Sequence, residues 1–140
     1  MTSPNLERLA RAGELKAERF TLQEFESLLR LARDLLADAK RPEISPEGRF
    51  SLAYGGSHAL ASAALRLHGY RSGNRYLVFQ CLEHTAGLSP LQCRLFSLCH
   101  ERRNKAEYHG AFDVEEALLE DLTLVAGDLL ERVSGMAPPD

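Results

Sequence analysis

The stretch Phe50-Ser51-Leu52-Ala53-Tyr54-Gly55-Gly56-Ser57-His58-Ala59-Leu60-Ala61-Ser62-Ala63-Ala64-Leu65 decides the fold. Phe50, Ala53, Tyr54, Ser57, Ala61, Ala64 and Leu65 recur at helical spacing, so the segment forms one apolar stripe. Its glycines, serines and alanines put little bulk between backbones, and a neighbouring helix can approach closely. This pattern predicts a central, tightly packed helix. Ser45 followed by Pro46 caps its start, and Gly69 ends it.

The same punctuation recurs on both sides. Ser3 and Pro4 open a short first helix that Gly13 stops. Thr21 with Glu24 forms a capping box, in which hydroxyl and carboxylate each accept from an otherwise unpaired backbone N–H, ahead of a stripe from Phe25 to Leu36 that ends near Ala39. Asn74 caps a shorter helix closed by Gly87, and Ser89-Pro90 opens one that reaches at least Tyr108. Asp113 with Glu116 forms a last capping box before Leu118, Leu122, Val125, Leu129 and Val133. β-branched residues are few and no apolar/polar alternation persists, so strands are not expected. The fold class is all-α: four long helices in a bundle with one or two short additional helices. At 140 residues the chain makes a single domain, residues 1–140, with its core at about 21–133.

Hydrophobic residues at 44% and charged residues at 26% are ordinary for a globular protein. No apolar run approaches the roughly 18 residues needed to span a bilayer, so no membrane association is expected. Residues 1–11 lack the apolar core of a secretory signal. Cys81, Cys93 and Cys99 are an odd number without metal-ligand spacing, which fits a reducing cytoplasm and predicts neither disulfides nor zinc. The net charge of -3 is unevenly spread: residues 1–40 balance, 41–112 carry +4 and 113–140 carry -7. The middle of the chain is the anion-binding candidate.

Within it, Cys99-His100-Glu101-Arg102-Arg103-Asn104-Lys105-Ala106-Glu107-Tyr108-His109-Gly110 has the most unusual composition. At about 100° per residue Arg102, Ala106 and His109 share a helix face, while Arg103 meets His109 only if the last turn unwinds. Geometry alone thus favours Arg102 as the partner of His109, and fraying before Gly110 admits Arg103. RNA cleavage by the neighbouring 2′-hydroxyl needs a base, an acid for the leaving 5′-oxygen, and positive charge on the phosphorane. Histidine serves both proton transfers because its ordinary pKa, about 6.5, lies near working pH. A guanidinium stays charged and matches phosphate oxygens bidentately. Such chemistry needs no metal and no cofactor, and it requires RNA, which alone carries the hydroxyl.

Arg103-Asn104-Lys105-Ala106-Glu107-Tyr108-His109 resembles the Arg-X4-6-His motif of HEPN domains, in which a polar residue commonly follows the arginine. Phe50 to Ala61 is similar to the alanine-rich second helix of that family, and the likeness covers Thr21 to Val133. The resemblance implies a four-helix up-down bundle and a metal-independent endoribonuclease. It also implies a homodimer whose two motifs meet in one cleft, and the toxin role in a toxin–antitoxin pair with a nucleotidyltransferase-type antitoxin. Carried over, Arg103 binds the scissile phosphate, Asn104 positions it or orients the histidine, and His109 is the acid/base residue. Arg102, Lys105 and Tyr108 then line the substrate.

Tyr108 stands where the family's histidine is commonest, and related bundles keep Arg-Asn-X-Ala-Asp/Glu-Tyr with no catalytic histidine. The alternative function is thus a non-catalytic dimeric module that binds a partner protein, a nucleotide or RNA. Architectural alternatives stand beside each residue. Arg103 can pair with Glu107 or with the acidic last helix, His100 reads as solvated, and His58 reads as a core histidine with a satisfied hydrogen bond. Arg66, Arg71 and Arg75, around the Gly69 and Gly73 turn, can extend a phosphate-binding surface, with a solvated basic loop as the default reading. Motifs for nucleotide loops, serine hydrolases and zinc proteases are missing from the sequence.

Overall fold

A computed structural model describes residues 3–109 and 115–139, with side chains for all of these except 106–109. The described residues are mainly helical, and the fold is all-α.

Caps set the helix starts. α1 (Pro4–Arg11) begins behind Ser3, and the chain leaves it through Gly13 at φ 80°. Thr21 opens α2 (Leu22–Asp38), its hydroxyl accepting from the Glu24 N–H at 3.4 Å. Only this half of the predicted capping box forms, because the Glu24 carboxylate is drawn to Arg66 and Arg71. α3 (Pro46–Leu67) starts at Ser45, whose hydroxyl accepts from the Gly48 N–H at 3.1 Å, and gives way at Gly69 with φ 84°.

Asn74 caps α4 (Arg75–Gln80) by accepting from the Leu77 N–H at 3.1 Å. One helix was expected from there to Gly87, but the chain breaks at Cys81 and continues as α5 (Leu82–Thr85). The break re-aims the second half, so that Leu82 and Thr85 are buried along with Val78 and Phe79. At α6 (Pro90–His109) the Ser89 hydroxyl accepts from the Gln92 N–H while the Gln92 side chain accepts from the Ser89 N–H, a reciprocal box. α7 (Glu116–Ser134) has Glu115 at its N-cap with no side-chain cap bond; Asp113, the predicted cap, lies outside the described residues.

α3 is the central element. α2 and α7 pack along it, and α4 and α6 close its remaining side. The small residues do what their size allows: a Cβ on Gly56 would stand 2.9 Å from Leu36 Cγ of α2. Tyr54, Phe79 and Phe96 join α3, α4 and α6, with Phe79 stacked on Phe96 at 5.2 Å and tilted against Tyr54 at 5.6 Å.

The sequence predicts no strand, yet β1 (Lys16–Ala17) pairs antiparallel with β2 (Tyr70–Arg71), extended by the Glu18 N–H donating to the Gly69 carbonyl at 2.9 Å. Two residues are too short for an alternating pattern to show. Among the described residues no helix is long and apolar enough to cross a membrane.

Candidate functional site

His100, Arg103 and Asn104 lie at i, i+3 and i+4 on α6, which puts them on one face of that helix. That face meets Tyr54 of α3. The Tyr54 hydroxyl is 2.8 Å from His100 Nδ1, and the Asn104 amide nitrogen is 3.2 Å from His100 Nε2. Because the amide nitrogen can only donate, Nε2 accepts; the proton of the neutral ring then sits on Nδ1 and is donated to Tyr54 Oη. Adding a second proton would set Nε2–H against the Asn104 N–H.

Two guanidiniums converge on the same tyrosine. Arg103 Cζ lies 5.0 Å from the Tyr54 ring centroid and Arg75 Cζ, from the first turn of α4, lies 5.9 Å from it. Tyr76 adds its ring 6.4 Å from His100. One turn along α3 from Tyr54, the half-buried His58 sets its ring edge-on to Phe79 at 5.8 Å.

The electrostatics follow from this crowding of cations. Burial first, then Arg75 and Arg103, lowers the His100 pKa below its ordinary value, with Glu101 opposing. Burial, then Arg75, Arg103 and His100, pushes His58 down to about 4. Both imidazoles are therefore neutral at ordinary pH, and the positive charge around Tyr54 is carried by guanidinium.

The His58 shift carries a stability signature. Above its ordinary value of 6.5 the ring is neutral folded or unfolded, and the full contribution is present. Between 6.5 and about 4 the unfolded chain takes up a proton that the folded chain refuses, so stability falls as pH falls through that window. The loss attached to this group is on the order of 2–3 kcal/mol. Urea midpoints measured over this range are expected to fall less in His58→Gln than in wild type; identical pH profiles would contradict the assignment.

Each residue singled out from the sequence has a definite place. Arg103 and Asn104 meet at Tyr54 and His100. Arg102 points elsewhere, donating to Glu115 at 3.2 Å and tying α6 to the start of α7. Of the two arginines left open by helical spacing, Arg103 stands over the Tyr54 ring, while Arg102, favoured by the straight-helix argument, is turned to Glu115. Lys105 is exposed. Tyr108 and His109 belong to α6, and their side chains lie outside the described residues.

Other expectations are corrected. His100 is partly buried and hydrogen-bonded on both nitrogens rather than solvated. His58 makes no hydrogen bond among the described residues, so it is not the satisfied core histidine expected. Arg66 and Arg71 are engaged with Glu18 and Glu24, and Arg75 lies over the Tyr54 ring, so these three do not form a solvated loop.

Neither Arg75, which reads from sequence as part of a basic loop, nor Tyr54 is tied to Arg103 by any sequence signal, because both come from other helices. The only local signal was the His100, Arg103, Asn104 spacing. Cys99, beside His100, is buried and its thiol is pushed up to about 12 by that burial, which leaves it unsuited to nucleophilic work. Among the described residues no group of three or more His, Cys, Asp or Glu side chains is placed to hold a metal ion. No protein-family model matches this chain, and no curated protein matches it.

Proposed function

We propose that the chain is a HEPN-like four-helix up-down bundle that binds an RNA phosphodiester against Arg103 and Arg75 and cleaves it without a metal. The observation that carries this reading is the convergence of two guanidiniums over the Tyr54 ring, beside a neutral His100 fixed by Tyr54 and Asn104. Arg103 binds the scissile phosphate. Asn104 and His100 are positioning residues, and His109, carried over from the family motif, is the acid/base group.

In the reaction the 2′-hydroxyl loses its proton to the base and its oxygen bonds to phosphorus. The P–O5′ bond breaks, and the 5′-oxygen receives a proton from the acid. The products are a 2′,3′-cyclic phosphate and a 5′-hydroxyl, with no redox change and no cofactor. Toxicity in the cytoplasm, held in check by a nucleotidyltransferase-type antitoxin, is the physiological form of this reading. RNA cleavage that persists in a chelator and is lost in Arg103→Ala tests it.

A homodimer completes the site in this reading. Supporting it, α6 and α7 leave an apolar groove of about 660 Å³ lined by Leu91, Leu95, Leu98 and Leu124, with Leu91 and Leu124 more than 70% exposed. Arg94 and Glu101 stand at its rim two turns apart on α6, so a second copy lying antiparallel sets each against its opposite charge. Tyr76 lines this groove and also faces His100, which makes the dimer face continuous with the cleft. Light scattering is expected to give a dimer at micromolar concentration and a monomer for Leu124→Glu. A monomeric wild-type protein contradicts this part.

One observation favours the alternative, a non-catalytic module that binds RNA or a nucleotide. Both His100 nitrogens are already hydrogen-bonded within the protein, which leaves that imidazole no nitrogen for substrate. RNA that binds to the cleft and stays intact selects this reading.

A further inference from the structure

Tyr54, His58, Ser62 and Arg66 fall at successive fourth residues of α3, so they form one row along the helix. A cavity of about 250 Å³ is lined by the apolar Leu28, Leu65 and Val78 and by the polar His58, Ser62 and Ser72. Arg71 and Glu24 also line it, already bonded to each other at 2.7 Å. His58 stands about 6 Å along α3 from Tyr54, within electrostatic reach of Arg75 and Arg103.

We propose that this cavity receives the nucleobase of the nucleotide whose phosphate rests between Arg75 and Arg103, a step that depends on the phosphate-binding reading above. Its volume lies below the range of about 300–1,000 Å³ usual for whole-ligand pockets, which fits a flat heterocycle and leaves sugar and phosphate outside. The apolar lining residues suit the faces of a base, and the polar ones suit its edge. Serine hydroxyls both donate and accept, and a neutral imidazole offers one donor and one acceptor. His58 is neutral at ordinary pH and has no hydrogen-bond partner among the described residues, so both roles are open to a ligand. Recognition of an unstacked base in a pocket beside a cation-held backbone is the usual way single-stranded RNA is read.

The test is calorimetric titration of the full chain, in chelator, with adenosine 5′-monophosphate, uridine 5′-monophosphate and ribose 5-phosphate. At least one nucleotide is expected to bind about tenfold tighter than ribose 5-phosphate, the low end of what a stacked base contributes. Ser62→Leu, which fills the cavity, is expected to remove that difference and keep the ribose 5-phosphate affinity. In the wild-type protein, which involves no risk of misfolding, the His58 ring ¹⁵N resonances shift with the nucleotide and not with ribose 5-phosphate. Equal affinities with unmoved His58 resonances overturn the base subsite while the phosphate reading stands. A nucleotide preference that survives Ser62→Leu overturns its location, and binding of none of the three ligands overturns both readings.

Discussion

Replacing Arg66 with alanine is expected to destabilise the protein by about 2–4 kcal/mol, because backbone carbonyls lose their donor at about 1–3 kcal/mol each while Glu24 keeps Arg71 as its partner. Its side chain is only 3% exposed. Arg66 Nε donates to Glu24 at 2.5 Å, while its terminal nitrogens donate to the carbonyls of Glu18, Arg19 and Tyr70. Those carbonyls belong to the segment that carries β1 and to the chain just past α3, so one guanidinium ties the N-terminal strap to the central helix.

Removal leaves buried carbonyls without donors, and Tm is expected to fall by on the order of 10 °C. Lysine cannot replace the fork, so Arg66→Lys recovers only part of the loss. Proteolysis should then cut first in the strap around residues 12–20. The same network predicts an acid limb. The hydrogen bond from Arg71, with help from Arg66, holds the Glu24 carboxyl below its ordinary 4.5, so its contribution is complete above that value and lost as pH falls through the lower folded one. An Arg66→Ala protein as stable as wild type would show that the strap is held by something else.

The second large effect concerns RNA. In chelator, Arg103→Ala is expected to lose about 10²–10³-fold in cleavage, the loss typical of removing one charge-stabilising group. Arg75→Ala should weaken RNA binding, since it shares the Tyr54 face with Arg103. Arg102→Ala should lose far less, because that side chain is committed to an exposed pair with Glu115, worth about 0–1 kcal/mol. If Arg102→Ala proves the damaging variant, the cleft has been assigned to the wrong face of α6. If RNA binds normally to wild type and is never cut, the binding module remains and the nuclease does not.

How far these features were legible depends on the range of the interactions that make them. Ser45, Asn74 and Thr21 act on amides three residues away, and Gly13, Gly69 and Gly87 adopt positive φ where the chain must turn, so helix limits could be read locally. Close packing of α3 was readable from side-chain size alone, and Gly56 against Leu36 realises it.

The Glu24 carboxylate was misassigned to its own helix cap because its true partners are more than 40 residues away, beyond any local pattern. Arg102 was favoured over Arg103 by ideal helical angles, which do not contain the acidic start of α7 that captures it. His100 looked solvated because Tyr54, its main partner, stands 46 residues earlier in the sequence.

The central claim is that Arg103, over Tyr54, meets an RNA phosphate. It is tested most directly by fluorescence anisotropy of labelled single-stranded RNA, in chelator, with wild type and Arg103→Gln compared between about 50 and 200 mM salt. Neutralising one phosphate contact is expected to weaken binding at every salt and to reduce the log–log slope by about one. Coincident lines for the two proteins would contradict the claim.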